Sequence, residues 1–162
     1  MCGIVATIGY TKQDVNEMLE IISHRGRDNR GIMEFQYNDK NIILGHNRLS
    51  INDTSPLGNQ PMEYDGVQLV VNGEIWNYPQ LRKEYEERGY TFKSNSDSEI
   101  ILFLYKENEL KRLSGMFSFV IYDENKLILS RDWVGKLPLY LSLIHISEPT
   151  RQAEISYAVF CL

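Results

Sequence analysis

The amino-acid sequence predicts an α+β domain in which antiparallel β-sheets are layered against helices. Two stretches, 31–51 and 115–132, each contain two apolar segments around a short polar turn, which is typical of β-hairpins. The segments between these hairpins have helical spacing, and they do not alternate one by one with strands as in a parallel βαβ sheet. At 162 residues and 43% hydrophobic, the chain is long enough to bury one core.

The N-terminal third supplies a strand, a helix and the first hairpin. Residues 3–9 form a short apolar run between glycines, which predicts a buried strand. A helix is predicted next at 13–26, ending at its glycine. Its inward apolar face is Val15, Met18, Leu19 and Ile22. The hairpin follows with its turn at 38–41, and the turn-rich residues 52–62 predict a loop.

The rest of the predicted domain contains another strand, two helices and the second hairpin. The strand after the loop is predicted to break at Asn72-Gly73, because this dipeptide is a strong turn signal. A helix with proline in its first turn is predicted at 79–89. Another helix begins where Ser or Asp precedes Glu99 as a cap. The second hairpin turns at 123–126.

Composition argues against several classes of function. The net charge is −5, and no basic stripe occurs, so we expect no nucleic-acid partner. No apolar run approaches the roughly 20 residues of a membrane span, and no signal peptide precedes the first strand, which predicts a cytoplasmic protein without a membrane partner. The two cysteines and three histidines lack the spacing of a disulfide framework or a metal site.

One cysteine stands where removal of a single residue makes it the N-terminus. Cys2 directly follows Met1 and precedes an apolar run. A cysteine is usually a small buried hydrophobic residue. A thiol beside a base can instead be a nucleophile. On the residues alone, both interpretations of Cys2 stay open.

Three further positions each have a structural and a chemical interpretation. Asn72-Gly73 is a hairpin-turn signal, yet a side-chain amide and a backbone N–H at consecutive positions also suit an oxyanion hole. Arg48 is either solvated on an edge strand or a guanidinium that binds a carboxylate. Asp97 is either a helix cap or a carboxylate that binds an ammonium group. Together, Arg48 and Asp97 would complement the zwitterionic end of an amino acid.

Eight motifs occur in an order that is typical of a known family. They are MCGI, SHRGRD, GHNRLSI, GNQPM, VNGEIWNY, SNSDSE, GMFSFVIYD and SRDWVGKLPLY. From residue 1 to about residue 140, the chain resembles the glutaminase domains of glutamine-hydrolysing asparagine synthetases, which are class II glutamine amidotransferases. The resemblance implies a four-layer αββα N-terminal-nucleophile hydrolase sandwich of antiparallel sheets, truncated at its C-terminus.

Carried over residue by residue, the resemblance implies a glutamine-binding site. Removal of Met1 would make Cys2 the nucleophile, with its own α-amine as the base near neutral pH. Asn72 and Gly73 match the oxyanion hole. Arg48 matches the residue that binds the substrate α-carboxylate, and Asp97 the one that binds the α-amine. The remaining matches line the glutamine pocket (Leu49, Ile51 and Glu74) or belong to the loop beside the thiol (Arg25 and Asp28).

Two segments depart from the family pattern. Arg27 stands where family members commonly have proline, which loosens the backbone of the loop beside the thiol. Residues 141–162 resemble the translation of sequencing-library adapters, where the family continues with further strands and a synthetase domain. We therefore predict an amidotransferase domain at 1–140, incomplete at its C-terminus, and a non-native tail at 141–162. In that tail, His145 and Cys161 carry no function.

The resemblance thus implies the glutaminase half of a glutamine-dependent asparagine synthetase. L-Glutamine would be hydrolysed to glutamate and ammonia, which a C-terminal synthetase domain absent from this chain would use to amidate aspartate. The glutaminase domain needs no cofactor, ATP and Mg²⁺ belong to the synthetase domain, and a homodimer is one expected assembly of the full-length protein. Two alternatives stay open: an amidotransferase domain that serves a different acceptor, and a non-catalytic amidotransferase-like binding module.

Overall fold

In the computed structural model, two antiparallel sheets stack between helices. The structure describes residues 1–124, 126–146 and 154–161, and for 143–146 and 154–161 it describes the backbone alone. The strands described are β1 (Gly3–Ile8), β2 (Asn29–Tyr37), β3 (Lys40–Arg48), β4 (Met62–Tyr64), β5 (Val67–Ile75), β6 (Gly115–Asp123), β7 (Lys126–Arg131), β8 (Tyr140–Ile146) and β9 (Glu154–Cys161). The α-helices described are α1 (Lys12–Ile21), α2 (Tyr78–Glu87) and α3 (Ile100–Lys106).

The layer order is αββα, as the resemblance implies. One sheet has the strand order β2-β3-β1-β9-β8 and the other β4-β5-β6-β7. Helix α1 packs Val15 and Leu19 on the outer face of the first sheet, and α2 and α3 cover the second sheet through Tyr85 and Phe103. Between the sheets lies an apolar cluster of Ile4, Ala6, Ile42, Leu44, Val70, Val120 and Tyr122.

Helix α1 ends earlier than predicted, and this shortening positions the loop beside Cys2. The helix begins after a capping box, in which Thr11 and Asp14 exchange hydrogen bonds. It stops at Ile21, and a 3₁₀ turn over Ser23–Arg25 leads to Gly26. A Cβ at Gly26 would lie 2.4 Å from the carbonyl oxygen of Asn47, so this glycine permits close packing on β3.

The predicted strand break at Asn72-Gly73 is wrong. Strand β5 continues to Ile75, with Asn72 opposite Ser118 and Gly73 opposite Phe117 on β6. The turn signal is local, whereas the pairing with β6 joins residues more than 40 positions apart and overrides it. The hairpin-turn interpretation of this dipeptide is therefore excluded.

The approach to α3 also differs from the prediction. A 3₁₀ turn over Asp97–Glu99 precedes the helix, and its cap is Ser96, whose hydroxyl accepts a hydrogen bond from Ser98 N–H. The cap interpretation of Asp97 is therefore wrong. The Glu99 carboxylate accepts hydrogen bonds from the backbone N–H groups of Lys93 and Ser94, which holds the preceding loop against the helix.

The C-terminal strands extend the first sheet. The hairpin of β6 and β7 turns where predicted, with Asp123 opposite Lys126. Strand β8 pairs with β9, and β9 pairs with β1. The origin of residues 141–162 and the domain boundary at 140 stay predictions. The side chains of His145 and Cys161 lie outside the described ones.

Two classes of feature are absent from the part of the chain that the structure describes. None of its helices has both the length and the hydropathy that a membrane span requires. Its His, Cys, Asp and Glu side chains form no group of three placed to hold a metal ion.

Candidate active site

Cys2 is fixed at the N-terminal end of β1 by contacts with two loops. The backbone N–H of Leu49 donates a hydrogen bond to its Sγ at 3.4 Å. Arg25 Nε donates to the Cys2 carbonyl oxygen at 3.0 Å. Arg25, which is predicted to belong to the loop beside the thiol, therefore contacts Cys2 directly.

The environment of Cys2 favours a neutral thiol. Burial raises the pKa of Cys2 above its ordinary value, and the Asp97 carboxylate adds to this increase. The Leu49 N–H, the positive N-terminus and the Arg48 guanidinium lower the pKa, but burial outweighs them. Since the thiolate is the nucleophilic form, Cys2 needs a base to accept its proton during a reaction.

The thiol faces a cavity of about 120 Å³, which is lined by most of the predicted site residues. Seven predicted residues line this cavity: Cys2, Arg48, Leu49, Ile51, Gly73, Glu74 and Asp97. They come from the residue before β1, from strands β3 and β5, from the loop after β3 and from the turn before α3. Leu49 and Ile51 are respectively 37% and 70% exposed, so they form the rim of the cavity. Met1 also lines the cavity, so its removal would widen it.

Arg48 is a buried cation, so its interpretation as a solvated edge-strand residue is wrong. Its Nη1 donates to the carbonyl oxygen of Ser55 and to Asn59 Oδ1, both at 2.7 Å. Its Nη2 donates to the carbonyl oxygen of Asp53. A Cβ at Gly58 would lie 2.3 Å from Nη2, so this glycine makes room for the guanidinium. These contacts use three of the five N–H donors, which leaves Arg48 able to bind an anion.

Asp97 lies across the cavity with one carboxylate oxygen engaged. Its Oδ2 accepts a hydrogen bond from Ile75 N–H at 2.7 Å, and the side chain is only 5% exposed. Among the described residues, no group donates to Oδ1. A buried carboxylate with an unused oxygen attracts a cationic group.

Gly73 brings backbone rather than a side chain to the cavity. Its φ is +151°, and a Cβ would lie 2.2 Å from the carbonyl oxygen of Met116, so only glycine fits here. Asn72 is fully buried next to it and is not among the residues that line the cavity. The structure therefore places Gly73 in the cavity wall and Asn72 directly behind it.

Asp28 and Gly26 support the cavity from outside. The Asp28 carboxylate accepts a hydrogen bond from Ser50 N–H at 2.6 Å, and its own N–H donates to the Arg48 carbonyl oxygen at 3.0 Å. Arg27, at the position where proline is common, is exposed and takes no part in these contacts. The loop is thus held on both sides of Arg27.

Sequence reasoning missed several residues of this site. Asp53, Gln60, Ser96 and Ser98 line the cavity and are nearly fully buried. Asp53 has a local signal, since Asp two positions before Ser is typical of an Asx turn, and its Oδ1 accepts Ser55 N–H at 2.7 Å. Gln60 has none, because its partner is the backbone of β5.

Comparison with known proteins identifies the family. The model of the glutamine amidotransferase domain family matches residues 1–156. The chain belongs to this family. The match extends beyond residue 140 and leaves the predicted boundary there untested.

Two curated relatives of this glutamine amidotransferase domain are asparagine synthetases. It is 37% identical over 160 residues to glutamine-hydrolysing asparagine synthetase 1 of Bacillus subtilis, covering 90% of this chain and 24% of the relative. It is 43% identical over 134 residues to asparagine synthetase B of Escherichia coli, covering 77% and 23%. The chain thus spans about a quarter of the length of these relatives.

A solved structure supports the fold. The glutamine phosphoribosylpyrophosphate amidotransferase of Bacillus subtilis superposes with a TM-score of 0.80 and is 23% identical in sequence. The match covers 98% of this chain and 41% of the other. The αββα sandwich of antiparallel sheets implied by the resemblance is confirmed.

Proposed function

We propose that this chain is the glutaminase domain of a glutamine-dependent asparagine synthetase and that Cys2 is its nucleophile. The main support for this proposal is that Cys2, Arg48 and Asp97 line the same cavity. These three side chains come from separate elements, and each had a plausible structural role on its own. A thiol, a buried cation and a buried carboxylate in one cavity complement the reacting amide and the zwitterionic end of glutamine.

In the proposed complex, the two charges orient the substrate. Arg48 binds the α-carboxylate with its unused N–H donors, and Asp97 binds the α-ammonium group through Oδ1. Leu49, Ile51 and Glu74 line the space beside the substrate. The side-chain amide then points toward Cys2.

The proposed reaction requires removal of Met1. The free α-amine of Cys2 then takes the thiol proton, and Sγ attacks the amide carbon of glutamine. The Gly73 N–H stabilises the oxyanion, and the Asn72 side-chain amide is the second proposed donor once it turns from its buried position toward the cavity. Ammonia leaves with a proton from the amine, and water hydrolyses the thioester to release glutamate and restore the thiol.

The wider protein forms the second part of the proposal. A synthetase domain outside this chain uses ATP and Mg²⁺ to activate aspartate, which then receives the ammonia. The glutaminase domain itself requires no cofactor. We place the protein in the cytoplasm, where thiols stay reduced, and a homodimer is one assembly for it.

The test compares processed chain with a Cys2→Ala variant, after mass spectrometry of the N-terminus. We expect the processed chain to release glutamate from glutamine and Cys2→Ala to release none. Cys2→Ala in the full-length protein should retain aspartate amidation from free ammonia. Glutamine turnover by Cys2→Ala would refute the assigned nucleophile.

Two other outcomes distinguish the alternatives. A processed chain that binds glutamine without hydrolysing it would indicate a binding module. A full-length protein that hydrolyses glutamine but does not amidate aspartate would indicate another acceptor.

A further inference from the structure

One edge of β5 loses its neighbouring strand where the active site begins. Strand β4 pairs with β5 only as far as Leu69, opposite Met62. On the other side, β6 pairs with β5 up to Ile75. In an antiparallel strand, alternate residues direct N–H and C=O to the same edge. Beyond Leu69, the edge facing away from β6 is therefore formed by Val71, Gly73 and Ile75.

Side chains replace the missing strand on either side of Gly73. Val71 N–H donates to Gln60 Oε1 at 2.6 Å, and its carbonyl oxygen lies 3.2 Å from His46 Nε2. Ile75 N–H donates to Asp97 Oδ2 at 2.7 Å. Gly73 lies between these two residues and lines the cavity beside Cys2. Among the described side chains, none accepts a hydrogen bond from its N–H.

The two groups on Val71 are buried and complementary. His46 is 0% exposed and Gln60 is 6% exposed. Burial lowers the pKa of His46 to about 3, so at neutral pH the ring carries a single proton. Because the Val71 carbonyl oxygen can only accept, that proton lies on Nε2. Gln60 accepts and His46 donates, so both hydrogen-bonding groups of Val71 are satisfied.

We propose that Gln60 and His46 are positioning residues, which fix the backbone of Val71 and thereby hold Asn72 and Gly73 as oxyanion donors. This inference rests on the proposed function. Gly73 has no side chain to anchor it, so the residues before and after it determine where its N–H points. Oxyanion donors act only when aligned with the developing charge, and small displacements cost large factors in rate.

The experiment measures two reactions of Cys2 in the processed chain. Glutamine hydrolysis passes through an oxyanion. Alkylation of Cys2 by iodoacetamide displaces iodide at a methylene carbon and forms no oxyanion. A variant that misplaces the donors should slow the first reaction and leave the second unchanged.

Gln60→Met removes the acceptor at nearly constant length. We expect kcat for glutamine hydrolysis to fall at least about 10-fold, since a misplaced donor should cost part of the roughly 10²–10³-fold that complete loss of one oxyanion donor costs. KM and the alkylation rate should stay within about 3-fold, because the proposed substrate contacts of Arg48 and Asp97 are kept. Gln60→Glu keeps an oxygen acceptor and should retain most of kcat. Gln80→Met, on the exposed face of α2, is the matched control.

His46 has its own pair of variants. His46→Leu removes the donor and should lower kcat as Gln60→Met does, whereas His46→Gln keeps an N–H donor and should retain more activity. Equal losses in hydrolysis and alkylation, or a rise in KM with kcat unchanged, would overturn the inference. So would a Gln60→Glu variant as impaired as Gln60→Met. If the unsubstituted processed chain hydrolyses no glutamine, it is the proposed function that fails.

Discussion

At the scale of single residues, Gly73 is under the strictest steric constraint. Gly73→Ala would place a Cβ 2.2 Å from the Met116 carbonyl oxygen and 2.6 Å from Phe117 Cα, at a φ of +151°. We expect glutamine hydrolysis to be lost and the free energy of unfolding to fall by about 2–4 kcal/mol, as for overpacking combined with backbone strain.

The control for this substitution separates strain from collision. Gly89 also has a positive φ, but a Cβ there would meet nothing within 4 Å. Gly89→Ala should therefore cost only about 1–2 kcal/mol from backbone strain and leave hydrolysis intact. Chemical denaturation of both variants measures the difference. Equal losses of stability would contradict the predicted collision at Gly73.

His46 predicts a dependence of stability on pH. The unfolded chain takes up a proton near the ordinary pKa of 6.5, whereas burial lowers the pKa of the folded His46 to about 3. The contribution of neutral His46 to the free energy of unfolding is therefore fully present above pH 6.5 and is lost as the pH falls toward 3. We expect a loss of about 1.4 kcal/mol per pH unit below pH 6.

The predicted loss of stability at low pH can be checked by measuring denaturation midpoints from pH 7 to pH 4.5. His46→Gln, which has no titrating group at this position, should show a shallower slope. Identical slopes in the two proteins would show that the imidazole titrates normally in the folded chain.

No single position in the sequence was enough to predict a catalytic or binding role; the prediction required several positions together. Arg48 in a strand is compatible with solvent exposure, and its burial depends on acceptors from Asp53, Ser55 and Asn59, which no local pattern pairs with it. The predicted neighbourhood of Cys2, Arg48 and Asp97 came from the order of motifs. The contacts of Gln60 and His46 with Val71 could not be predicted from the sequence, because they join side chains to the backbone of a distant strand.

At the scale of elements, Asp53 joins the loop that follows Arg48 to the segment that precedes Asp97. Its Oδ1 accepts Ser55 N–H, its Oδ2 accepts Asn95 N–H at 2.8 Å, and its carbonyl oxygen accepts Arg48 Nη2. Burial opposes ionisation of Asp53, but these N–H donors and the Arg48 charge lower its pKa overall. One carboxylate thus links the Arg48 side of the site to the segment that leads to Asp97.

Asp53→Asn should weaken substrate binding more than it slows the chemical step. An amide offers one oxygen and turns its NH₂ group toward a backbone N–H, so one loop is released. We expect KM for glutamine to rise about 10-fold and kcat to change by less than about 3-fold. Steady-state kinetics provide the measurement, with Asp39→Asn in the exposed β2–β3 turn as the control. A fall in kcat at constant KM would contradict this role.

Elements with local signals were predicted well. The helix with Val15 and Leu19 inward and the hairpin turning at Asp123–Lys126 both formed because periodicity and turn chemistry are encoded in neighbouring residues. The error at Asn72-Gly73 has the opposite origin. Its turn signal is strong, but the pairing with β6 is non-local and decides the outcome.

At the scale of the whole molecule, the origin of residues 141–162 can be tested in the gene. We expect the codons of this segment to match sequencing-adapter sequence and the genomic reading frame to diverge after Tyr140. The genomic sequence should continue with amidotransferase strands and a synthetase domain. Codons that depart from the adapters would reject a non-native tail and make β8 and β9 part of the natural sheet.

The distribution of the cavity residues along the chain sets an order of events during synthesis. Cys2 leaves the ribosome first, but Gly73 and Asp97 follow only some 70 to 95 residues later. At about 5–20 residues per second, the N-terminus therefore spends roughly 5–20 s outside any completed cavity. During that interval Met1, which lines the finished cavity, is not yet enclosed by Gly73 and Asp97. The proposed removal of Met1 can therefore begin before the cavity forms around it.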